Sequence, residues 1–281
     1  MRINHNISAM ITQSALYSTS VNLSKSLERL STGLRINSAS DDAAGLGVSE
    51  NLRTQVNGTA QANRNAQDGI AALNIAEGAA NEVSSMLQRM RELAVQSSND
   101  TLTSTERSYT HQEFDALRSE INRISSVTNY NKQELISSTA GRFGSGTTNN
   151  LWIDANTTQG VDNITISIGT LDVPTLDANL ATRDITTQAH AVNAISEVDA
   201  ALNSVNSVRA NLGAYINRLE HAINNLNVSN TNQQAAESSI RDVDFASETS
   251  QYTKNQILMQ SGTAMLAQAN ALPSSVLTLL K

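Results

Sequence analysis

Both ends of this 281-residue chain carry long heptad stripes of apolar residues. Near the C-terminus Leu258, Gly262, Met265, Ala269, Leu272, Val276 and Leu279 keep a strict 4-3-4-3 spacing. Near the N-terminus Leu16, Ser20, Leu23, Leu27, Leu30 and Leu34 do the same. A 3.5-residue repeat lines one seam of a helix and seeks another helix to cover it. Neither end can bury its stripe alone, so the two are expected to pair with each other or with further copies. A second stripe, Ile3, Ile7, Met10, Tyr17 and Val21, overlaps the first and widens the apolar face beyond what a two-stranded coiled coil uses.

The rest of the chain reads as long helices broken by a short β region. Residues 36–58 carry Gly45, Gly47, Gly58 and the pair Asp41–Asp42, which predicts an irregular connector with at most one short helix. Residues 60–98 hold the stripe Leu73, Ala76, Ala80, Val83, Leu87, Met90 and Ala94, ended by the turn chemistry of Ser97–Asp100. Thr103 and Glu106 form a capping-box signature for a helix reaching about Tyr130, with Phe114, Leu117, Ile121 and Ile124 inside. Between 137 and 182, Gly141, Gly144, Gly146, Gly160 and Gly169 punctuate the chain, and Ile164, Ile166 and Ile168 alternate with Thr165 and Ser167. That period of two predicts one or two hairpins, and no other stretch reads as β. The longest helix is expected over 183–230, about 70 Å long, with Arg209 the only non-apolar member of its stripe. The last helix starts near Asp244, and Pro273 is expected to kink or interrupt it. The fold class is therefore mainly α: an elongated antiparallel helical bundle with a small β-hairpin region mid-chain.

Composition narrows function by exclusion. Aromatic residues make up 3% of the chain, which suits helices filled with Leu, Ile, Val and Ala better than an enzyme-like globe. A net charge of -7 argues against a nucleic-acid partner, which needs a basic face. No window approaches the ~20 apolar residues of a membrane span, so no membrane insertion is expected. MRINHNISAM lacks the character of a cleaved signal peptide. With no Cys there is no disulfide, thiolate zinc site or Cys nucleophile. His111-Gln112-Glu113 has the order of a zinc-deaminase motif but not its cysteine pair. Asp41, Asp42, Asp242 and Asp244 read as helix-start carboxylates in preference to cation ligands. No catalytic constellation, cofactor site or metal site follows, and the chain is expected not to be an enzyme.

Several longer motifs point to one family. LSTGLRINSASDDAAGLGVSENLR at 30–53, LQRMRELAVQSSND at 87–100, SIRDVDFASE at 239–248 and QILMQSGTAMLAQANALPSSVLTLLK at 256–281 closely resemble the terminal regions of bacterial flagellins. The resemblance covers about 1–140 and 185–281. It implies an inner layer of paired terminal helices (1–35 and 245–281), a spoke-like connector (36–58), a surrounding bundle (59–140 and 183–244), and a hairpin region (141–182) without outer domains. It also implies a structural subunit, exported unfolded without a cleaved signal peptide, that polymerises into the extracellular flagellar filament used for swimming. The seam residues Leu16, Leu23, Leu27, Leu30, Leu34, Leu258, Met265, Leu272, Val276 and Leu279 would carry that assembly. The implied partners are further copies of the chain, the flagellar export apparatus, an export chaperone holding about 240–281, and the filament cap. A patch read by a host Toll-like receptor in many flagellins corresponds to Arg89, Leu93 and Glu113; read plainly, these are two solvated helix charges and one packed leucine. A hook–filament junction protein shares the terminal architecture, and a helical signalling hairpin is the rival from another class. The β-rich middle and Gly-rich connector disfavour the hairpin, and the strong match at 239–281 favours a filament subunit.

Overall fold

A computed structural model describes residues 5–137, 149–155 and 162–279, with side chains described up to 271. The expectations for Ile3, Gly141, Gly144, Gly146 and Gly160, and for the side chains of Leu272, Val276 and Leu279, lie outside the described residues. The described elements are, in order, α1 (Ile7–Thr32), α2 (Ala43–Ser97), α3 (Ser104–Val127), β1 (Asn129–Tyr130), β2 (Gln133–Glu134), β3 (Asn149–Trp152), β4 (Asn163–Ile166), α4 (Val173–Leu176), α5 (Gln188–Arg241) and α6 (Phe245–Leu279). The chain divides into two compact units, one of residues 1–55 with 231–281, the other of residues 56–230.

In the first unit α1 packs against α6. Asn6 caps α1 by accepting from the Ala9 N–H at 3.1 Å, and its own amide donates to the Ala269 carbonyl at 2.8 Å. Gly33 ends the helix at φ 73°, a left-handed cap that returns its N–H to the Arg29 carbonyl. The chain then lies beside the end of α5: Arg35 N–H donates to the Arg241 carbonyl, and Val243 N–H to that of Gly33. The irregular connection is shorter than the glycines suggest. Asp42 accepts the Gly45 N–H at 2.8 Å and starts α2 there, so Gly45, Gly47 and Gly58 lie inside the helix. A Cβ at Gly45 would stand 2.4 Å from an Asp42 carboxylate oxygen, so that glycine makes room for the cap. Single glycines cost a helix only ~1 kcal/mol each, which a 55-residue helix tolerates. Asp244 begins α6 in the same way, accepting the Ala246 N–H at 3.0 Å. Pro273 does not end α6, whose backbone stays helical to Leu279; a proline removes a single i→i−4 bond.

In the second unit the expected stripe of α2 is the core. Leu73, Ala76, Ala80, Val83, Leu87, Met90 and Ala94 are fully buried with Phe114 and Ile121 of α3 and Val198, Val205, Leu212 and Leu219 of α5. α2 and α5 run antiparallel, as the pairs Asn63–Asn227, Glu77–Arg209 and Arg91–Asp199 require. The capping box of Thr103 and Glu106 is present. β3 and β4 pair antiparallel with Leu151 opposite Ile164, and Ile164, Ile166 and Ile168 all point into the core. A further hairpin, β1–β2, lies outside the expected region, where α3 was expected to continue. α3 stops at Val127 because Asn131 and Lys132 take left-handed conformations, φ 50° and 63°, and turn the chain back.

Candidate assembly surface

The α1–α6 pair covers some of its large apolar residues and turns others outward. Three links fix its antiparallel register: Asn6 with Ala269, Leu16 against Gly262, and Arg29 with Glu248 at 3.6 Å. On α1 the covered positions are Ala9, Thr12, Leu16, Thr19, Leu23, Ser26 and Leu30. On α6 they are Glu248, Tyr252, Asn255, Met259, Gly262, Leu266 and Ala269. Both sets keep heptad spacing, yet only about half of their members are large and apolar. Small and hydroxylic residues at alternate layers let the backbones approach, and a Cβ at Gly262 would sit 2.7 Å from Leu16 Cδ2.

The residues expected at the seam divide between two faces. Leu16, Leu23, Leu30 and Leu34 are half-buried, and Leu34 bridges to Asp242. Leu27, Leu258 and Met265 are not between the helices; Leu27 is 54% exposed and Met265 61%. The pair uses Thr19 and Ser26 where a leucine-weighted reading takes Ser20 and Leu27. Ile7, Met10, Tyr17 and Val21, the second stripe, join Leu27 on exposed surface, with Tyr17 at 75%. Ile11, Phe245 and Ile257 are exposed as well and belong to neither stripe; their signal was single large apolar residues at positions that a one-seam helix would leave polar.

Charges border this surface and order the connection. Lys25 donates to Asp41 Oδ1 at 2.9 Å, while the Ser38 N–H and hydroxyl donate to Oδ2 at 3.2 and 3.1 Å. Lys25 first, and Ser38 after it, hold the Asp41 carboxyl well below the usual carboxylate range. Arg241 pairs with Glu50 at 2.6 Å.

In the second unit Arg89 Nε donates to Glu113 Oε1 at 2.9 Å and Nη1 to Glu92 at 2.9 Å. Glu113 first and Glu92 second raise the Arg89 guanidinium further above its ordinary value. Leu93 does not join them on the surface: it is 1% exposed, inside the core. Among the described residues no group of three His, Asp or Glu side chains could hold a metal ion, and no helix is long and apolar enough to cross a membrane. The surface offers apolar area and paired charge, the chemistry of association.

Known proteins resemble this chain in sequence. Residues 3–140 match the family described as the bacterial flagellin N-terminal helical region, and residues 195–280 the bacterial flagellin C-terminal helical region. A flagellin of Halalkalibacterium halodurans is 45% identical over 284 residues, spanning 100% of both chains. The flagellar filament 33 kDa core protein of Treponema phagedenis is 45% identical over 296 residues, again with both chains fully covered. A solved structure from Vibrio parahaemolyticus, described as flagellar hook-associated, has a TM-score of 0.57 at 16% identity, covering 72% of this chain and 100% of that one; at that identity the likeness is one of fold alone. End-to-end identity to flagellins, with both family regions in place, makes this chain a member of the bacterial flagellin family.

Proposed function

We propose that this chain is the structural subunit that polymerises into the bacterial flagellar filament, and that the outward apolar faces of α1 and α6 drive its assembly. The supporting observation is the apolar surface left over once the pair has formed: Leu16, Leu23, Leu30, Tyr252, Met259 and Leu266 lie covered, while Met10, Tyr17, Ile257 and Met265 still face water. Burying such surface between copies contributes about 25 cal/mol per Å2. A head-to-tail contact that does not close into a ring propagates as an open helix. In this reading the paired ends, 1–35 and 245–281, make the inner filament layer, 36–58 the spoke, and 59–140 with 183–244 the surrounding bundle. The 141–182 stretch is the β-hairpin region, without outer domains. The chain works outside the cell, leaving unfolded through the flagellar export apparatus and folding beneath the filament cap. An export chaperone covers the apolar α6 before export. It carries no enzymatic activity.

A host Toll-like receptor reading this family would meet Arg89 and Glu113 as a surface ion pair, with Leu93 beneath supporting α2. That role is incidental to the filament.

Electron microscopy of the purified chain with short filament seeds tests the proposal. The full chain should extend the seeds, and a version lacking 1–35 and 245–281 should not. A full chain inert on competent seeds would contradict it, and low copy number in sheared filaments would point to a hook–filament junction protein.

A further inference from the structure

Sulfur enters this chain only as methionine: there are six, and no cysteine. Among the described residues their environments fall into an order. Met90 is fully buried in the core of the second unit, and Met86 is packed against that core. Met259 lies half-covered in the α1–α6 seam. Met10 and Met265 stand 60% and 61% exposed. The links Asn6–Ala269 and Leu16–Gly262 bracket these two, so the antiparallel register sets them at one level of the pair, one on each helix. Ile7 and Ile11, on either side of Met10 along α1, are exposed as well. Both open thioethers therefore belong to the apolar surface offered to a second copy, and both are within reach of small solutes in the free subunit. Where no thiol competes, an exposed thioether is the readiest target for a two-electron oxidant.

We propose that Met10 and Met265 are oxidation sites of the free subunit, and that their sulfoxides stop it from adding to a filament. The oxidant is hydrogen peroxide. The thioether sulfur attacks one peroxide oxygen, the O–O bond breaks as the S–O bond forms, and the other oxygen leaves as water. The sulfur is oxidised by two electrons and the peroxide is reduced by the same two. The product exchanges a flexible apolar group for a polar one carrying an acceptor oxygen. Covered by a second copy, that oxygen loses its water, which costs free energy wherever the facing surface is apolar. Two sulfoxides at one level act on the same part of the contact. A methionine sulfoxide reductase returns the thioethers, so the block is reversible. The proposal rests on the filament reading for its effect on growth; the order in which the methionines oxidise does not depend on it.

Peroxide treatment of the purified full-length chain, followed by peptide mass spectrometry, tests the order. Met10 and Met265 should oxidise first, and Met90 at least about tenfold more slowly, since its sulfur is reached only through an opening of the core. In assembled filaments the same treatment should leave Met10 and Met265 reduced. Seeded elongation tests the consequence. The oxidised chain should lose elongation and regain it after methionine sulfoxide reductase. A chain carrying Met10→Leu and Met265→Leu, apolar and of similar volume but without the two thioethers, should elongate equally before and after peroxide, with helical circular dichroism as the folding control. If the leucines themselves block growth, the reductase rescue of the wild-type chain decides. Oxidation of Met90 as fast as Met10, equal oxidation of Met10 and Met265 in filaments, or wild-type elongation by the doubly oxidised chain would overturn the proposal. So would loss of elongation by the peroxide-treated leucine chain, because the damage would then lie elsewhere. An untreated chain inert on competent seeds would instead overturn the filament reading, and with it the effect on growth, while the order of oxidation is read independently.

Discussion

Arg89 and Leu93 stand one helical turn apart on α2, and their environments could hardly differ more. Leu93 is sealed in the core while Arg89 lies in an exposed ion pair with Glu113. Leu93→Ala should therefore destabilise the second unit by about 2–5 kcal/mol, read as a lowered midpoint in denaturant. Arg89→Ala should leave that midpoint close to wild type, because an exposed, solvent-screened ion pair contributes little. Equal losses for the two would contradict this placement. Asp41 is the residue whose charge state matters most for the connection. Its folded-state value is depressed by Lys25 and Ser38, so its stabilising contribution is complete above the unfolded value, about pH 3.9, and is lost as pH falls from there through the lowered folded value. Asp41→Asn should abolish that part of the acid dependence of the first unit, followed by helical circular dichroism from pH 5 downward; an unchanged acid profile would show that the Lys25 pair contributes nothing. The helix-start roles of Asp42 and Asp244 were legible from position alone. The Lys25–Asp41 pair was not, because nothing in local sequence shows that a lysine sixteen residues away returns to meet the carboxylate.

At the scale of the element, one-sided helices were readable and two-sided ones were not. The α2 stripe from Leu73 to Ala94 has polar residues on its other faces, so its period points to one buried side, and that side is the core. In α1 apolar residues run around most of the helix, so periodicity alone cannot say which row meets α6. Leucine-weighted reading chose Leu27, whereas the close-packed seam took Ser26. The β1–β2 hairpin is not legible in the sequence because two-residue strands have no period, and its turn uses Lys132 in a conformation usually left to glycine. Glycines inside α2 looked like breakers and are instead of two kinds. A Cβ at Gly58 would meet Ala155 Cβ at 2.5 Å and its Cα at 3.1 Å, whereas one at Gly78 would meet nothing within 4 Å. Gly78→Ala should stabilise by up to ~1 kcal/mol through helix propensity. Gly58→Ala should instead push the 149–155 segment off α2 and change the fluorescence of Trp152, the single tryptophan. Stabilisation by both substitutions, with Trp152 unmoved, would contradict the close approach.

At the scale of the whole molecule, the two units answer different needs. The second satisfies its own helices: α2, α3, α5 and the β3–β4 hairpin share one core. The first satisfies its own only in part, since Leu16, Leu23, Leu30, Tyr252, Met259 and Leu266 lie covered while Met10, Tyr17, Leu27, Ile257 and Met265 stay exposed. A filament subunit so built leaves apolar surface on its first unit open to association with further copies. The measurement that bears most directly on this is seeded elongation by a chain carrying Tyr17→Asp and Met265→Asp. Both residues are exposed in the subunit, so thermal unfolding of the second unit should match wild type while elongation on seeds is lost. Elongation at the wild-type rate would contradict the claim that these outward faces carry assembly.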